Sequence, residues 1–433
     1  MSAPEARTLG ASTAAMLVVA SMVGTGVFTS TGFLVGDIGS KPAVLFAWIL
    51  GGALALAGAL SYAELGAALP ANGGEYQLLS RIYHPAVGFL AGLTSMIIGF
   101  AAPIASAAVA FARYLDTVVP GLPERPVAAA LILAMTLLHS TRVETGSRLQ
   151  DWLTYGKIGL IAAFLALGAF APLPHFGEAP RVPLGAAIAS GSFAVGQFWI
   201  AFSYSGWNAA SYVAGELKDP ARNLPRALIS ATIAVTVLYT ALNFVYLAAA
   251  PADALAGQLQ VAYVAATHMM GETASRFVSA VIALGLVSTT GAFVMTGPRV
   301  LAAVGVDYPR LAVLTRRREG GAPVVALALQ AALSLGMLFT ASFEVMIESV
   351  GFVLSFWAGL AVLGVIVLRR REPTLPRPYK TLGYPVTPLV FVALMGWIIV
   401  RSVISKPEIL VWGALALVAS LAIWLWARPR DAR

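Results

Sequence analysis

The sequence predicts an all-α, polytopic membrane protein with twelve transmembrane helices, and three observations carry that prediction. The mean hydropathy over 433 residues is +0.82, with 59% hydrophobic residues. Only 11% of residues are charged, less than half of the ~25% typical of a soluble domain. The apolar residues also fall in long blocks, many of 18 residues or more with few charges, which is the length a helix needs to cross a bilayer. This composition excludes an ordinary soluble enzyme, a coiled coil and a disordered scaffold.

The first apolar block, Ala11–Gly36, follows a short polar stretch and runs past signal-peptide length, so it is expected to remain as a spanning helix. Ala43–Leu69 and Ala86–Asp116 come next, then Pro126–Thr141, the shortest of the first four. Leu149–Phe170, Gly191–Glu216, Arg226–Ala250 and Arg276–Val304 follow as separate apolar runs. Pro323–Thr340 and Phe343–Leu368 are nearly fused, and Val386–Ile404 and Ile409–Ala427 complete the set. Pro251–Ala274 is amphipathic with too short an apolar run to span, and is expected as a short helix on the outer surface. Every linker is under about 30 residues, so one membrane-embedded domain over residues 1–433 is expected to carry whatever the protein does.

The net charge is +8, and its distribution decides its meaning. Alternate loops hold 20 Lys and Arg on the side of the N-terminus, from Arg7 through the runs Arg316–Arg318 and Arg369–Arg371 to Arg433. The other side holds 7, and Lys157 lies within a span. Such an excess places both termini in the cytoplasm and makes the basic runs topology anchors rather than nucleic-acid contacts. The chain has no cysteine, which excludes thiol nucleophiles, Cys-ligated metals and a partner held by a disulfide. His84, His139, His175 and His268 are scattered without metal-ligand spacing, so neither a metal site nor any cofactor is expected, and no catalytic residue stands out. Oligomeric state leaves no trace in the sequence, which is compatible with a monomer.

Two spans contain residues that a continuous helix avoids. Gly24-Thr25-Gly26 interrupts the first span after Met22 and Val23, and Phe202-Ser203-Tyr204-Ser205-Gly206-Trp207-Asn208 interrupts the sixth. Glycine weakens a helix and lets other groups approach its backbone. Close packing through small residues is one reading of each site alone. The two occupy corresponding positions if the bundle is built from halves of five helices, and paired interruptions point to a substrate site at the membrane midplane. A broken helix offers free N–H groups to a carboxylate and free carbonyls to an ammonium, which suits a zwitterion such as an amino acid. Neither interruption carries an acidic side chain near mid-depth, so carbonyls would hold the amino group. Lys157 lies about three turns into the fifth span. It either snorkels to the surface or acts as a fixed ammonium between helices, with Ser288, Thr289 and Thr290 as oxygen donors if they do not simply bond back to their own helix.

At these residues the sequence resembles the amino acid–polyamine–organocation (APC) superfamily of permeases, and within it bacterial relatives of the L-type amino acid transporters. Gly24-Thr25-Gly26-Val27-Phe28, Tyr62-Ala63-Glu64-Leu65-Gly66 with Pro70 and Gly73-Gly74-Glu75-Tyr76, Phe202 through Asn208, Glu216 with Pro220-Ala221-Arg222-Asn223, and Arg370 through Pro385 match the family's motifs in order. The resemblance implies a leucine-transporter-type fold of two inverted five-helix repeats, about residues 11–170 and 191–368, with broken helices 1 and 6 and extra helices at about 386–427. It implies an amino acid as substrate, moved by alternating access through exchange or proton coupling without sodium. Gly24, Thr25 and Gly26 would bind the carboxylate, and carbonyls around Met22, Val23, Phe202 and Ser203 the amino group. Tyr204, Ser205 and Gly206 would complete the pocket, Phe202 would gate it, and Lys157 would stand where related proteins bind sodium. Ser205 in place of the family's first glycine, and the altered spacing Val304–Pro309, depart from the pattern. A transport-inactive sensor or an integral-membrane enzyme is the competing reading.

Overall fold

The computed structural model describes residues 9–70, 73–141, 143–317 and 323–428. Arg7, Arg142, Arg318, Arg430 and Arg433 of the charge count lie outside the described residues, as does the side chain of Arg148. In chain order the helices are α1 (Ala11–Met22), α2 (Gly26–Ile38), α3 (Lys41–Ala68), α4 (Gly74–Ile82), α5 (Pro85–Thr94) and α6 (Ala101–Val118). A π-helical turn, Ser95–Phe100, joins α5 to α6. Then follow α7 (Glu124–Thr141), α8 (Val143–Phe170), α9 (Leu184–Ala189), α10 (Gly191–Tyr204), α11 (Pro220–Ala249), α12 (Ala252–Leu255) and α13 (Val261–Met270). The last are α14 (Glu272–Asp307), α15 (Val324–Thr340), α16 (Phe343–Arg371), α17 (Val386–Ser405) and α18 (Ile409–Ala427).

Helix therefore occupies each of the predicted segments. Among the described residues, seven helical spans are long and apolar enough to cross a membrane, and the bent pair α1–α2 makes an eighth. Helices α7, α8, α10 and α15 fill the remaining predicted segments as shorter or partly described elements. Local chemistry sets several ends. Ser190 and Ser342 cap α10 and α16 by accepting the N–H groups of Phe193 and Val345. Arg369, Arg370 and Arg371 in the last turn of α16 sit at the negative end of its dipole.

The α5–α6 span is the most enclosed, with 72% of its apolar window buried, whereas α17 and α18 bury only 28% and 22%. The first is central and the last two are peripheral. Phe170, Leu137, Val237 and Phe277 present large apolar side chains outward from α8, α7, α11 and α14, the surface a bilayer accepts and water does not. The protein is a multi-pass membrane protein.

Pro251–Ala274 forms the short helices α12 and α13, whose Leu255, Val261, Ala262, Ala265 and Ala266 are buried against α2, α11 and α14 while Asp253, Gln258 and His268 stay exposed. Its entry is possible because Gly32 has no side chain; the Gly257 N–H donates to the Gly32 carbonyl at 2.9 Å. The sixth span does not resume as an α-helix after its interruption. Residues beyond Tyr204 form the 3₁₀ turns Ala209–Tyr212 and Ala214–Glu216 before Pro220 opens α11. This corrects the expected span, which ran as helix to Glu216: Gly206 at φ +99° turns the chain out of helical geometry.

The first and last described residues, Leu9 and the end of α18, lie at the same end of the bundle as α4. Leu9 exchanges backbone hydrogen bonds with Glu216 and Lys218, and near the C-terminus Trp424 packs on His84 while the Trp426 carbonyl accepts from Arg310.

Candidate functional site

The two interruptions meet at the centre of the bundle. Helix α1 stops at Met22, Val23 leaves helical geometry and Val23–Thr25 form a bend, and α2 resumes at Gly26 with the axis bent by 41°. Helix α10 stops at Tyr204, and Gly206 adopts φ +99°, open to glycine without strain. A Cβ on Gly26 would lie 2.5 Å from Ser203 Cα, and one on Gly206 would lie 2.7 Å from the Ser21 carbonyl carbon. The two backbones thus approach at both glycines with no space for a side chain between them. Ser30 and Ser203 share a hydrogen bond of 3.0 Å across the same contact, and Ser203 also donates to the Trp199 carbonyl.

Lys157 does not snorkel. Its side chain is 2% exposed, and its ammonium donates to the Val23 carbonyl at 2.9 Å and to Thr289 Oγ1 at 3.3 Å. Gly285 makes room for the stem, since a Cβ there would lie 2.6 Å from Lys157 Cγ. The Thr289 methyl closes on Gly24, 3.3 Å from where its Cβ would stand. Thr290 bonds back to the Leu286 carbonyl at 2.9 Å, and Ser288 is buried without a hydrogen-bond partner. Of the three hydroxyls considered, Thr289 alone reaches the ammonium.

The remaining polar groups fall into two sets. The first turn of α2 directs N–H groups, positive in partial charge, into the interruption, where the Thr25 hydroxyl is buried and unpartnered. The carbonyls of Met22, Val23 and Phe202 each already accept one bond, from Tyr239 Oη at 2.6 Å, Lys157 and the Ser205 N–H. Each keeps a second lone pair. Phe202 is buried at 4% exposure. Tyr204 turns toward α3 and α11, stacking near Trp48 and Tyr239 and donating to the Trp48 carbonyl. Ser205 and Gly206 line a cavity of about 60 Å³ between α3, α10, α16 and α17.

Sequence reasoning missed Tyr239 on α11 and Tyr114 on α6, whose hydroxyls hold the Met22 and Phe28 carbonyls on the two sides of the bend, each at 2.6 Å. A buried tyrosine in an apolar helix must find a hydrogen-bond acceptor, which is the signal available, but nothing in the sequence names the acceptor.

Two networks close the bundle at either end. Away from the termini, Phe33 of α2 stacks on Trp199 of α10 (4.7 Å between centroids) and on Phe343 of α16 (5.9 Å). Trp199 Nε1 donates to Glu348, which also accepts from Lys406 at 2.8 Å. On the face with the termini, Glu64 accepts two 2.7 Å bonds from Arg369 and further bonds from the Thr381 N–H and hydroxyl. Tyr76 donates to Asp307 in the segment of altered spacing. Motif residues that look independent in the sequence are partners here.

A match to the amino acid permease family runs over residues 9–425. The chain is 28% identical to the Asc-type amino acid transporter 1 of Mus musculus over 96% of its own length and 80% of the relative's. It is equally similar to the large neutral amino acids transporter small subunit 2 of Rattus norvegicus, at 28% over the same shares. The serine/threonine exchanger SteT of Bacillus subtilis (strain 168) is 26% identical over 98% of both chains. With the family match spanning nearly all of the chain and the interrupted helices meeting at its centre, this protein belongs to the amino acid permease family of membrane transporters.

Proposed function

We propose that the chain exchanges neutral amino acids across the cytoplasmic membrane by alternating access, independently of sodium. The observation that carries this reading is the Lys157 ammonium on the Val23 carbonyl at the α1–α2 bend. A fixed positive charge there occupies the place of a coupling cation and leaves the first turn of α2 to take a carboxylate. No acidic side chain stands within either interruption, so a zwitterion without net charge fits better than a basic amino acid. The bacterial relative is by its name a serine/threonine exchanger, which supports exchange and a small polar substrate. In this reading Gly24, Thr25 and Gly26 bind the carboxylate, and the second lone pairs of Met22, Val23, Phe202 and Ser203 carbonyls take the amino group. Phe202 closes over the substrate; Tyr204, Ser205 and Gly206 support the wall. The twelve helices form two inverted five-helix repeats and two further helices in one domain, with both termini cytoplasmic, a reading the 20 to 7 split of basic residues supports. With no cysteine, the chain offers no disulfide to a partner subunit.

The test is uptake of labelled serine, threonine, alanine and leucine into proteoliposomes in sodium-free buffer, with and without amino acid inside. Uptake that requires internal substrate establishes exchange. Uptake into empty vesicles driven by an inward proton gradient replaces exchange with symport, and no uptake of any amino acid under either condition defeats the reading.

A further inference from the structure

Glu75 lies on α4, between the spans α3 and α5–α6 and outside both. It is 4% exposed, and its carboxylate accepts from Tyr62 Oη of α3 at 2.6 Å and from Asn208 Nδ2 at 3.1 Å. Asn208 belongs to the linker that follows the interrupted helix α10. One buried acid therefore ties α3, α4 and the α10 linker together on the face with the termini. The linker is held at further points: the Gly73 N–H donates to the Tyr212 carbonyl, Tyr62 packs edge-on against Trp207, and the Ser211 hydroxyl donates to the Asn208 carbonyl.

No cation reaches this carboxylate among the described residues. The groups that face it from packed elements are the phenols Tyr62 of α3 and Tyr212 of the linker. Of the nearby charges, Glu64 of α3 is held by Arg369 and Thr381, Arg371 at the end of α16 donates to the Ile82 carbonyl, and Glu372 after it pairs with Arg81 of α4. At the start of α5, His84 caps its own helix by accepting the Ala86 N–H. On α4 itself, Tyr76 is bonded to Asp307. Burial pushes the Glu75 carboxyl up to about 7, with the Tyr62 and Asn208 hydrogen bonds pulling against it. A cavity adjoins the carboxyl as well. Glu75 and Asn208 line the same space of about 60 Å³ as Gln197 and Ser355, whose Nε2 and Oγ are buried and unpartnered. A cavity of that size with several polar groups in its wall has room for water.

We propose that Glu75 is a proton-binding latch: as the neutral acid it holds the α10 linker shut on the face with the termini, and loss of its proton releases the linker. The sign follows from linkage. In the closed form the buried acid keeps its proton to about pH 7, whereas an opened, hydrated carboxyl titrates near its ordinary value of 4.5. The closed form is therefore most favoured below pH 4.5, loses that advantage as pH rises to 7, and loses nothing further above it. The two values bound the change in the closed-to-open ratio at roughly three-hundredfold, since each pH unit between them is tenfold. The latch rests on the transporter reading for its purpose, but not for its measurement.

Because the chain lacks cysteine, single cysteines can report the motion. Ser211 is 3% exposed in the linker and lines a larger cavity of about 340 Å³ with Gln77 and Arg81. Lys380 is exposed. Detergent-solubilised Ser211→Cys and, as reference, Lys380→Cys would be labelled with a charged methanethiosulfonate from pH 5.5 to 8.5. The ratio of their rates removes the intrinsic ionisation of the thiol. The expected result is a rise in the ratio of tenfold or more, centred near pH 7, and a flat, low ratio when Glu75→Gln is added. A flat ratio with Glu75 present, or a rise that survives Glu75→Gln, overturns the proposal. If Glu75→Gln does not fold, Tyr62→Phe removes a donor to the charged form and should move the midpoint to higher pH; an unmoved midpoint overturns it equally. Uptake is read separately, so absent flux with the rise intact would defeat the transporter reading and leave the latch standing.

Discussion

At the scale of single residues, Lys157 is the one buried cation at the α1–α2 bend among the described residues, and its role is testable through the carbonyl it holds. In Lys157→Met the side-chain length is kept, but the Val23 carbonyl loses its donor, at a cost of ~1–3 kcal/mol for an orphaned buried acceptor. Exchange in proteoliposomes should fall at least tenfold, with a modest loss of thermal stability in detergent. Wild-type exchange at equal protein content would remove the ammonium from the mechanism. The sequence makes Lys157 conspicuous, because a charge deep in an apolar run is rare. It does not reveal which of Ser288, Thr289 and Thr290 meets it. Those neighbours differ by about 100° around α14, and only the packing of α14 against α8 selects Thr289.

At the scale of elements, each predicted span is helical because composition alone decides that a long apolar segment in a bilayer must satisfy its own backbone. What composition does not decide is how a polar segment folds when glycine ends one helix and proline begins the next. That is why the second half of the sixth span was expected as helix and is two 3₁₀ turns instead. Elements are also locked by charge. Glu64 of α3 is 2% exposed and bound to Arg369 of α16, with Arg377 within 3.5 Å. Glu64→Ala should cost ~3–5 kcal/mol, because it strands a buried partner, and lower the melting temperature of the purified protein by several degrees. Glu372→Ala, breaking the exposed pair with Arg81, should leave the melting temperature nearly unchanged, since solvent screens that pair. Equal losses for the two variants would contradict the assignment of Glu64 as the tie between α3 and α16.

At the scale of the whole molecule, side-chain networks join the helices at both ends of the bundle, on either side of the crossing of its interrupted helices. The stack of Phe33, Trp199 and Phe343 joins α2, α10 and α16 away from the termini, and the network around Glu75 and Glu64 closes the opposite end. Phe33→Ala removes two aromatic contacts worth ~0.5–1.5 kcal/mol each, enough to change the closed-to-open ratio of that end about tenfold. The expected consequence is slow efflux of labelled amino acid from loaded proteoliposomes without external substrate. Retention as tight as in the wild type would show that the stack does not set the closure.

The sequence by itself determined the membrane environment, the order of the helical segments, the two interruptions and the family, because each depends on hydropathy or on residues adjacent in the chain. The tertiary structure alone decided that Gly26 packs on Ser203 and Gly206 on Ser21, that Tyr239 and Tyr114 hold the carbonyls on either side of the bend, and that Glu75 meets Tyr62 and Asn208. Those partners lie on different helices, many residues apart. Hydropathy drives each helix into the bilayer without specifying its rotation or its neighbour; close packing of small residues and the need of every buried polar group for a partner then select one arrangement.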